Sequence, residues 1–437
     1  MQINVGILEE KEIKFSLNDK FFCEEKNCEM QGEFYLKFVN NKIYFDGNLF
    51  SELNFENKNN STFTLFDVKI GKNFHWQQFE NQTFEGNLKI ISDGENLIAI
   101  NEIDIEKYLF SVISSEMRAT SFSELLKAHA VISRSWLLAN IKKCKMKNVE
   151  CKTNAALKNS KFYTLNSTLI KWYERDAHTL FDVCADDHCQ RYQGLPKNAT
   201  EALKSAVSAT AGEVLVYDNR ICDTRFSKCC GGAGELFENC WADEKHDYLT
   251  NFFDTKKPFP KPNLRNENEA KDWILSSPDC FCNTNDRQII SQVLNDYDQS
   301  THNFFRWKVE YSNEQLSEIL HEKSGIDFGK IIDLIPLKRG VSGRIYELKI
   351  VGEKQTFTVG KELEIRRWLS KTHLYSSAFA VEHLTPDTFV LRGAGWGHGV
   401  GLCQIGAAVM SAQGFDYRQI LAHYFPKAEL KHADNTD

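Results

Sequence analysis

Between Gly393 and Gly401 every second residue is glycine, and Ala394, Trp396, His398 and Val400 fill the places between. Removing alternate side chains lets another segment or a ligand come close to the backbone. It also weakens an ordinary strand, so something must offset the loss. Two arrangements would do so. One is a polysaccharide-binding wall, with Trp396 as a flat stacking surface and His398 as a polar handle. The other is a tight glycine turn packed against the core. The pattern predicts a glycine strand feeding a helix from about Leu402 to Gln413, which stops at Gly414.

With 437 residues the chain has room for two or three domains with full cores. Apolar residues make up 42% and charged residues 26%, the profile of a globular protein. A formal charge of −7 and the lack of a long basic run argue against a nucleic-acid partner. No apolar run approaches the roughly 20 residues that span a bilayer. The segment Met1 to Val5 lacks the basic and apolar regions of an export signal. On that reading the protein stays inside, or the chain starts after a removed signal.

Thirteen cysteines form local groups: Cys23 with Cys28, Cys144 with Cys151, Cys184 with Cys189, and Cys280 with Cys282. Cys229 and Cys230 are adjacent, flanked by Cys222 and Cys240. Such pairs suit disulfides in an oxidising compartment, and the odd count leaves at least one thiol free or bound to metal. Cys403, in an apolar helical pattern, reads as a buried free thiol.

The periodicities predict an α+β fold, with a β-rich N-terminal domain over residues 1–100 and a mixed helix and sheet domain over 101–437. Insertions are expected near 142–170 and 255–340. Ile105, Tyr108, Leu109, Val112 and Ile113 lie at helical spacing after Asp104, a plausible N-cap. Ser121 and Glu124 have capping-box spacing for a central helix from about Glu124 to Asn140. Lys127 and Arg134 sit two turns apart on it, and His129 shares its apolar stripe. A strand-like stretch runs from Phe181 to about Phe226, and residues 255–300 read as irregular. A helix is expected near Asn313 to Lys323, and Asp416 with Gln419 caps a last helix before Pro426.

Two constellations carry chemistry. Glu116 continues the apolar stripe of the first helix, where burial raises a carboxyl pKa and suits it to acid catalysis. The alternative is a carboxylate that merely terminates its helix at the surface. His178, Cys184, His188 and Cys189 follow a His-x5-Cys-x4-Cys spacing, with His188 directly before the last cysteine. Thiolates with imidazoles suit tetrahedral Zn(II); a Cys184–Cys189 disulfide is the alternative. No His-Glu-x-x-His motif accompanies them, so a structural ion fits better than a hydrolytic one.

The blocks Ser115-Glu116-Met117, Leu126 to Val131 with Ser133-Arg134, Phe226 to Gly232 with Trp241, Gly395 to Ala407, and Ile420 to Pro426 together resemble the sporulation stage II protein D family (SpoIID/LytB type). The resemblance covers roughly residues 85–255 and 340–430. Arg118 stands where the family has Pro, His129 where Gln is common, and Cys229 and Cys230 replace serines. The resemblance implies a peptidoglycan lytic transglycosylase acting on stripped glycan strands at the MurNAc-GlcNAc bond. Glu116 is then the general acid and base, and the products end in 1,6-anhydro rings. It implies substrate contacts by Lys127, Arg134, Gln190, Tyr192, Ser227, Gly231, Gly232, Trp396, His398 and Gln404. Lys127 could instead pair with Glu116 and lower its pKa, and Lys127 and Arg134 could equally form a solvated helix face. The resemblance also implies that the mixed helix and sheet domain over 101–437 is the catalytic domain, with an open cleft. A zinc beside the Gln190-Arg191-Tyr192 pattern is also implied, as is a place in the bacterial cell envelope, periplasmic or extracytoplasmic, with an export signal absent from this chain. Two other functions stay open. The family's other branch binds the wall without cutting it and enhances a partner amidase, and Cys184 with Cys189 could centre a zinc hydrolase.

Overall fold

The computed structural model describes residues 1–437 apart from 59, 72–76, 119, 152–161, 165–166, 174–177, 187, 197–199, 256, 294–302 and 436–437; at 142–151 and 162–164 only the backbone is described. The fold is α+β, with a β-rich N-terminal part. The chain forms two compact units.

The first unit comprises Met1–Thr120, His129–Ala155 and Ala177–Gly212. Its centre is an eleven-stranded sheet. Gln2–Glu10 pairs antiparallel with Leu97–Asp104 and parallel with the short strand Val183–Cys184. Glu12–Cys23 pairs with Cys28–Val39 and, on its other edge, with both Glu52–Asn57 and Thr62–Ile70. Side chains alternate as strand geometry demands: Ile13, Phe15 and Leu17 are buried while Glu12, Lys14 and their neighbours face outward. Phe15, Phe21, Phe55, Phe63 and Phe84 are fully buried and supply an aromatic core.

Helix α1 (Ile105–Glu116) follows the last long strand of this sheet. Asp104 caps it as its sequence foretold, accepting the Glu106 N–H, and Ile105, Tyr108, Leu109, Val112 and Ile113 are buried. Helix α2 (Ser123–Cys151) runs beyond the expected end at Asn140. The anticipated Ser121 cap is not made: that hydroxyl donates to the Gln292 carbonyl instead. Helix α3 (Glu201–Ala209) occupies a stretch read as strand-like. Thr200 caps it by accepting the Leu203 N–H, and Leu203, Ala206 and Val207 form its buried face.

The second unit comprises Ser121–Ala128, Ala156–Asp176 and Glu213–Asp437. Helices α4 (Glu267–Leu275) and α5 (Arg287–Val293) lie within the segment expected to be irregular. The cause is local: the Asn266 side chain accepts two N–H groups of the first turn of α4, so asparagines taken for loop residues start a helix. Helix α6 (Asn313–Ser324) matches expectation, with a complete capping box from Ser312 and Gln315 and a left-handed Gly325 after it. It packs with helix α7 (Glu362–Trp368) over a core of Leu316, Leu320, Ile350, Ile365, Trp368 and Leu391. That core joins a five-stranded sheet built on Ile331–Arg339 and Ile345–Gly352 to a three-stranded one centred on Thr388–Ala394. Helices α8 (Gln404–Ala412) and α9 (Tyr417–Tyr424) close the chain, and Asp416 with Gln419 makes the expected capping box on α9.

Among the described residues no helix is long and apolar enough to cross a membrane. None of the eleven described cysteines is in a disulfide, which corrects the reading of their local groups as bridges. Cys23 and Cys28 are register partners across a hairpin, yet Cys23 is buried and Cys28 exposed. Cys144 and Cys151 lie outside the residues whose side chains are described.

Candidate active site and metal centre

Glu116 is the last residue of α1, and the next N–H, of buried Met117, still closes on the Ile113 carbonyl at 3.0 Å. Its side chain is half-buried, and one carboxylate oxygen accepts the Arg191 N–H at 3.2 Å. Burial along α1 thus does carry the apolar stripe to a carboxyl group. Arg191 belongs to a loop held from inside. Gln190 is buried, accepts the Tyr108 hydroxyl at 3.4 Å and faces the Ser133 carbonyl. Tyr192 is buried too: its ring stacks on Tyr108 at 5.1 Å and its hydroxyl donates to Asn101 at 2.5 Å. Burial pushes that phenol far above its usual range. Gln190 and Tyr192 therefore fix the backbone that meets Glu116.

The expected metal ligands converge just upstream. Cys189 Sγ lies 3.4 Å from His178 Nε2 and 3.6 Å from His188 Nδ1, and Cys184 Sγ lies 3.8 Å from His188 Nδ1. A tetrahedral zinc with ordinary Zn–S and Zn–N bonds has S···N edges of roughly 3.6 Å. The four donors fit that ion. Cys184 is held down to about 2, chiefly by its contact with Cys189 and then by His178 and His188, against the effect of burial. A thiolate is the form a metal binds. Four protein donors would leave zinc no open position, so the ion would be structural and the residues do not favour a zinc hydrolase. The cluster is anchored to the sheet: Val183 and Cys184 pair with Val5 and Gly6, and the Ala185 N–H reaches the Gly6 carbonyl at 3.0 Å. Because Cys189 precedes Arg191 by two residues, a zinc here would hold the peptide that meets Glu116.

The polar residues of α2 are already engaged. Lys127 pairs with Glu124 at 2.6 Å, and Glu124 also accepts the Tyr417 N–H. Arg134 is 1% exposed and grips Glu106 with two hydrogen bonds of 2.8 and 2.6 Å, tying α2 to the first turn of α1. His129 is buried with Nδ1 3.1 Å from the Ser133 hydroxyl.

In the second unit the glycine run is not a strand. The strand ends at Ala394, and Gly395, Gly397, Gly399 and Gly401 have φ of +77°, +97°, +74° and +72°. L-residues seldom adopt that region, which explains why glycine recurs there. Close packing adds a second reason. A Cβ on Gly399 would stand 2.5 Å from the Arg344 guanidinium, and one on Gly231 would stand 2.7 Å from the Gly395 nitrogen. The tight packed turn thus describes the backbone, while Trp396 and His398 stay half-buried on it. Trp396 stacks on Phe304 at 4.8 Å, and Cys229 and Trp396 exchange backbone hydrogen bonds of 3.0 and 2.8 Å. Gly231 and Gly232 continue the turn with φ of +76° and +99°. Ser227 and Gln404 are buried, and the Ser227 hydroxyl has no hydrogen-bond partner among the described residues. Sequence reasoning missed Arg344 and Glu235. Arg344 donates to the Gly397 and Cys230 carbonyls and to Ser342, and the buried Glu235 accepts from Ser342, Asn239 and Leu236.

His398 lies edge-on to Trp241 at 5.0 Å and accepts the Val400 N–H at Nδ1. Burial, then the charges of Arg225 and Arg344, hold it well below the usual imidazole range, so it is neutral. Burial likewise holds His373 down to about 4. With the folded pKa depressed, the unfolded chain binds more protons just below about pH 6.5, and stability is lost as pH falls through that window. His398→Gln should flatten this loss. Thermal melts of both proteins between about pH 8 and 5 check it; parallel curves would contradict the assignment.

Residues 93–217 match the family described as stage II sporulation protein, SpoIID, and residues 235–401 match a domain of unknown function, DUF8618. Over the first of these blocks the chain is similar to the SpoIID family. It is 25% identical over 349 residues to an uncharacterised protein of Brachyspira hyodysenteriae, covering 79% of this chain and 72% of that one. It is 23% identical over 337 residues to the stage II sporulation protein D of Bacillus subtilis, covering 77% of each. The corresponding protein of Bacillus amyloliquefaciens is 20% identical over 338 residues, again 77% of each. That similarity points to a cell-wall-related role.

Proposed function

We propose that this protein is a lytic transglycosylase that cuts peptidoglycan glycan strands, with Glu116 as its acid and base, and that it works outside the cytoplasm, where the wall lies. The observation that carries this reading is the position of Glu116. It is a half-buried carboxyl group at the end of α1, inside the SpoIID block, with its oxygen set against a backbone N–H in a zinc-fitting loop.

The chemistry balances on one carboxyl. Protonated Glu116 gives its proton to the bridging oxygen as the bond from that oxygen to the anomeric carbon breaks. The resulting carboxylate takes the proton of the same sugar's 6-hydroxyl as that oxygen bonds to the anomeric carbon. The glutamic acid is regenerated, no water is consumed, and a 1,6-anhydro ring results. Within the second unit, taken by itself, the half-buried Trp396 ring is a face on which a sugar could stack.

Incubation with peptide-free glycan strands, followed by mass spectrometry, tests the proposal. The expected products carry anhydro-muramyl ends. Products carrying reducing ends and one added water would identify a hydrolase instead. Retention on strands with no cleavage would leave the wall-binding amidase enhancer as the function.

A further inference from the structure

We infer that the second unit holds a further metal site, a mononuclear zinc centre formed by the thiolates of Cys230, Cys282 and Cys403 and the carboxylate of Asp254. The four donor atoms lie within 4.8 Å of one another, and all four residues are buried. They come from four separate parts of the chain: the Gly-Gly turn, the stretch before α4 that holds Asp254, the segment between α4 and α5, and the residue that caps α8.

Geometry favours one small ion. The Cys230 and Cys282 sulfurs are 3.6 Å apart. Two thiolates on a tetrahedral zinc with bonds of about 2.3 Å are separated by about 3.8 Å. The Cys230 N–H points at Cys403 Sγ from 3.2 Å, the kind of surrounding contact that orients a metal-bound sulfur. Asp254 is oriented from outside the cluster. Its Oδ1 accepts the Tyr424 hydroxyl at 2.9 Å and faces His423 at 3.2 Å, while Oδ2 accepts the Cys282 N–H at 3.0 Å. Such surrounding contacts fix the ligands of a metal. Cys229 lies beside the set, in contact with Cys282 and Cys403.

Charge points the same way. The Arg306 guanidinium donates to the carbonyls of Gly231, Trp273, Ser276 and Phe305. No carboxylate pairs with it among the described residues, and the nearby groups that would support its charge are Cys229, Cys230, Cys280 and Cys282. A half-buried cation without an anion is costly. A centre of three thiolates, one carboxylate and Zn(II) carries net negative charge and would supply the counter-charge. Soft sulfur donors in tetrahedral array select zinc over harder ions. The ion would staple the 228–232 turn to Cys403 and so brace the glycine loop, independently of whether the protein cuts glycans.

Metal counting on the full purified chain decides. Two equivalents of zinc are expected per wild-type chain. Cys184→Ser with Cys189→Ser should leave one, and Cys282→Ser with Cys403→Ser should also leave one. Cobalt substitution in the first double variant should give the intense visible bands of a tetrahedral site and a thiolate charge-transfer band. A folded first double variant that retains no zinc overturns the inference. So does a wild-type chain with one equivalent and a Cys230–Cys282 disulfide in non-reducing peptide maps. If the second double variant does not fold, the counts on the other two proteins still decide.

Discussion

Replacing Glu116 with Gln should lower the release of anhydro-muramyl ends by roughly 10²–10⁴-fold while leaving the protein folded. The size follows from what the substitution keeps. A glutamine oxygen still accepts the Arg191 N–H, the side chain keeps its length, and Met117 below it stays buried. What is lost is the transferable proton and the charge of the carboxylate that remains after its transfer. Because Glu116 is half-buried at a helix end and glutamine keeps its volume, the stability change should stay within about 1 kcal/mol. Glu116→Asp separates chemistry from charge. It retains a carboxyl but withdraws it by about one methylene, and displacements of about 1 Å can cost about 10²-fold. Both variants should keep wild-type melting curves and wild-type affinity for glycan strands. Full turnover by Glu116→Gln would remove the residue from the mechanism. A melting curve shifted as much as the rate would mean that Glu116 supports the loop and does no proton transfer.

The parts legible in the sequence are those whose signal is local. The start of α1 was readable because Asp104 and five apolar residues at helical spacing state both the cap and the buried face. α6 and α9 were readable from capping boxes. The His178 to Cys189 cluster was readable because its ligands fall within twelve consecutive residues, so spacing alone brings them near. What escaped was long-range or disguised. α4 begins in a run of asparagines and prolines whose loop character masked the Asn266 cap. The glycine run alternates with period two and so imitates a strand, although its conformation is left-handed at four positions. Cys230, Asp254, Cys282 and Cys403 meet only through tertiary folding; in the sequence the three cysteines looked like local disulfide partners and a lone buried thiol, and Asp254 carried no signal. Arg134 shows the same limit from the other side. Its helical position was right, but only the fold reveals that its charge is spent on Glu106.

Arg344→Met should destabilise the second unit by about 3–5 kcal/mol. The glycine loop explains why. Gly395, Gly397, Gly399 and Gly401 have no side chains to anchor them, and left-handed glycines lose much chain entropy on ordering. The loop's position must therefore be set through its backbone. One guanidinium, 2% exposed, does much of this: it donates twice to the Gly397 carbonyl at 3.2 and 3.0 Å, to the Cys230 carbonyl at 3.2 Å and to Ser342 at 3.0 Å. Methionine fills similar volume but leaves buried carbonyls without donors, each at a cost of about 1–3 kcal/mol. Arg344→Lys keeps the charge and loses the planar fork, so it should recover only part of the loss. Chemical denaturation followed by tryptophan fluorescence reads both the stability and the environment of Trp396, which stacks on Phe304 at the loop's edge. The binding of glycan strands should weaken in step with the fluorescence change. An Arg344→Met protein with wild-type stability would show that the loop is held by other contacts, and that its glycines answer to a ligand's approach and not to the guanidinium packed beneath them.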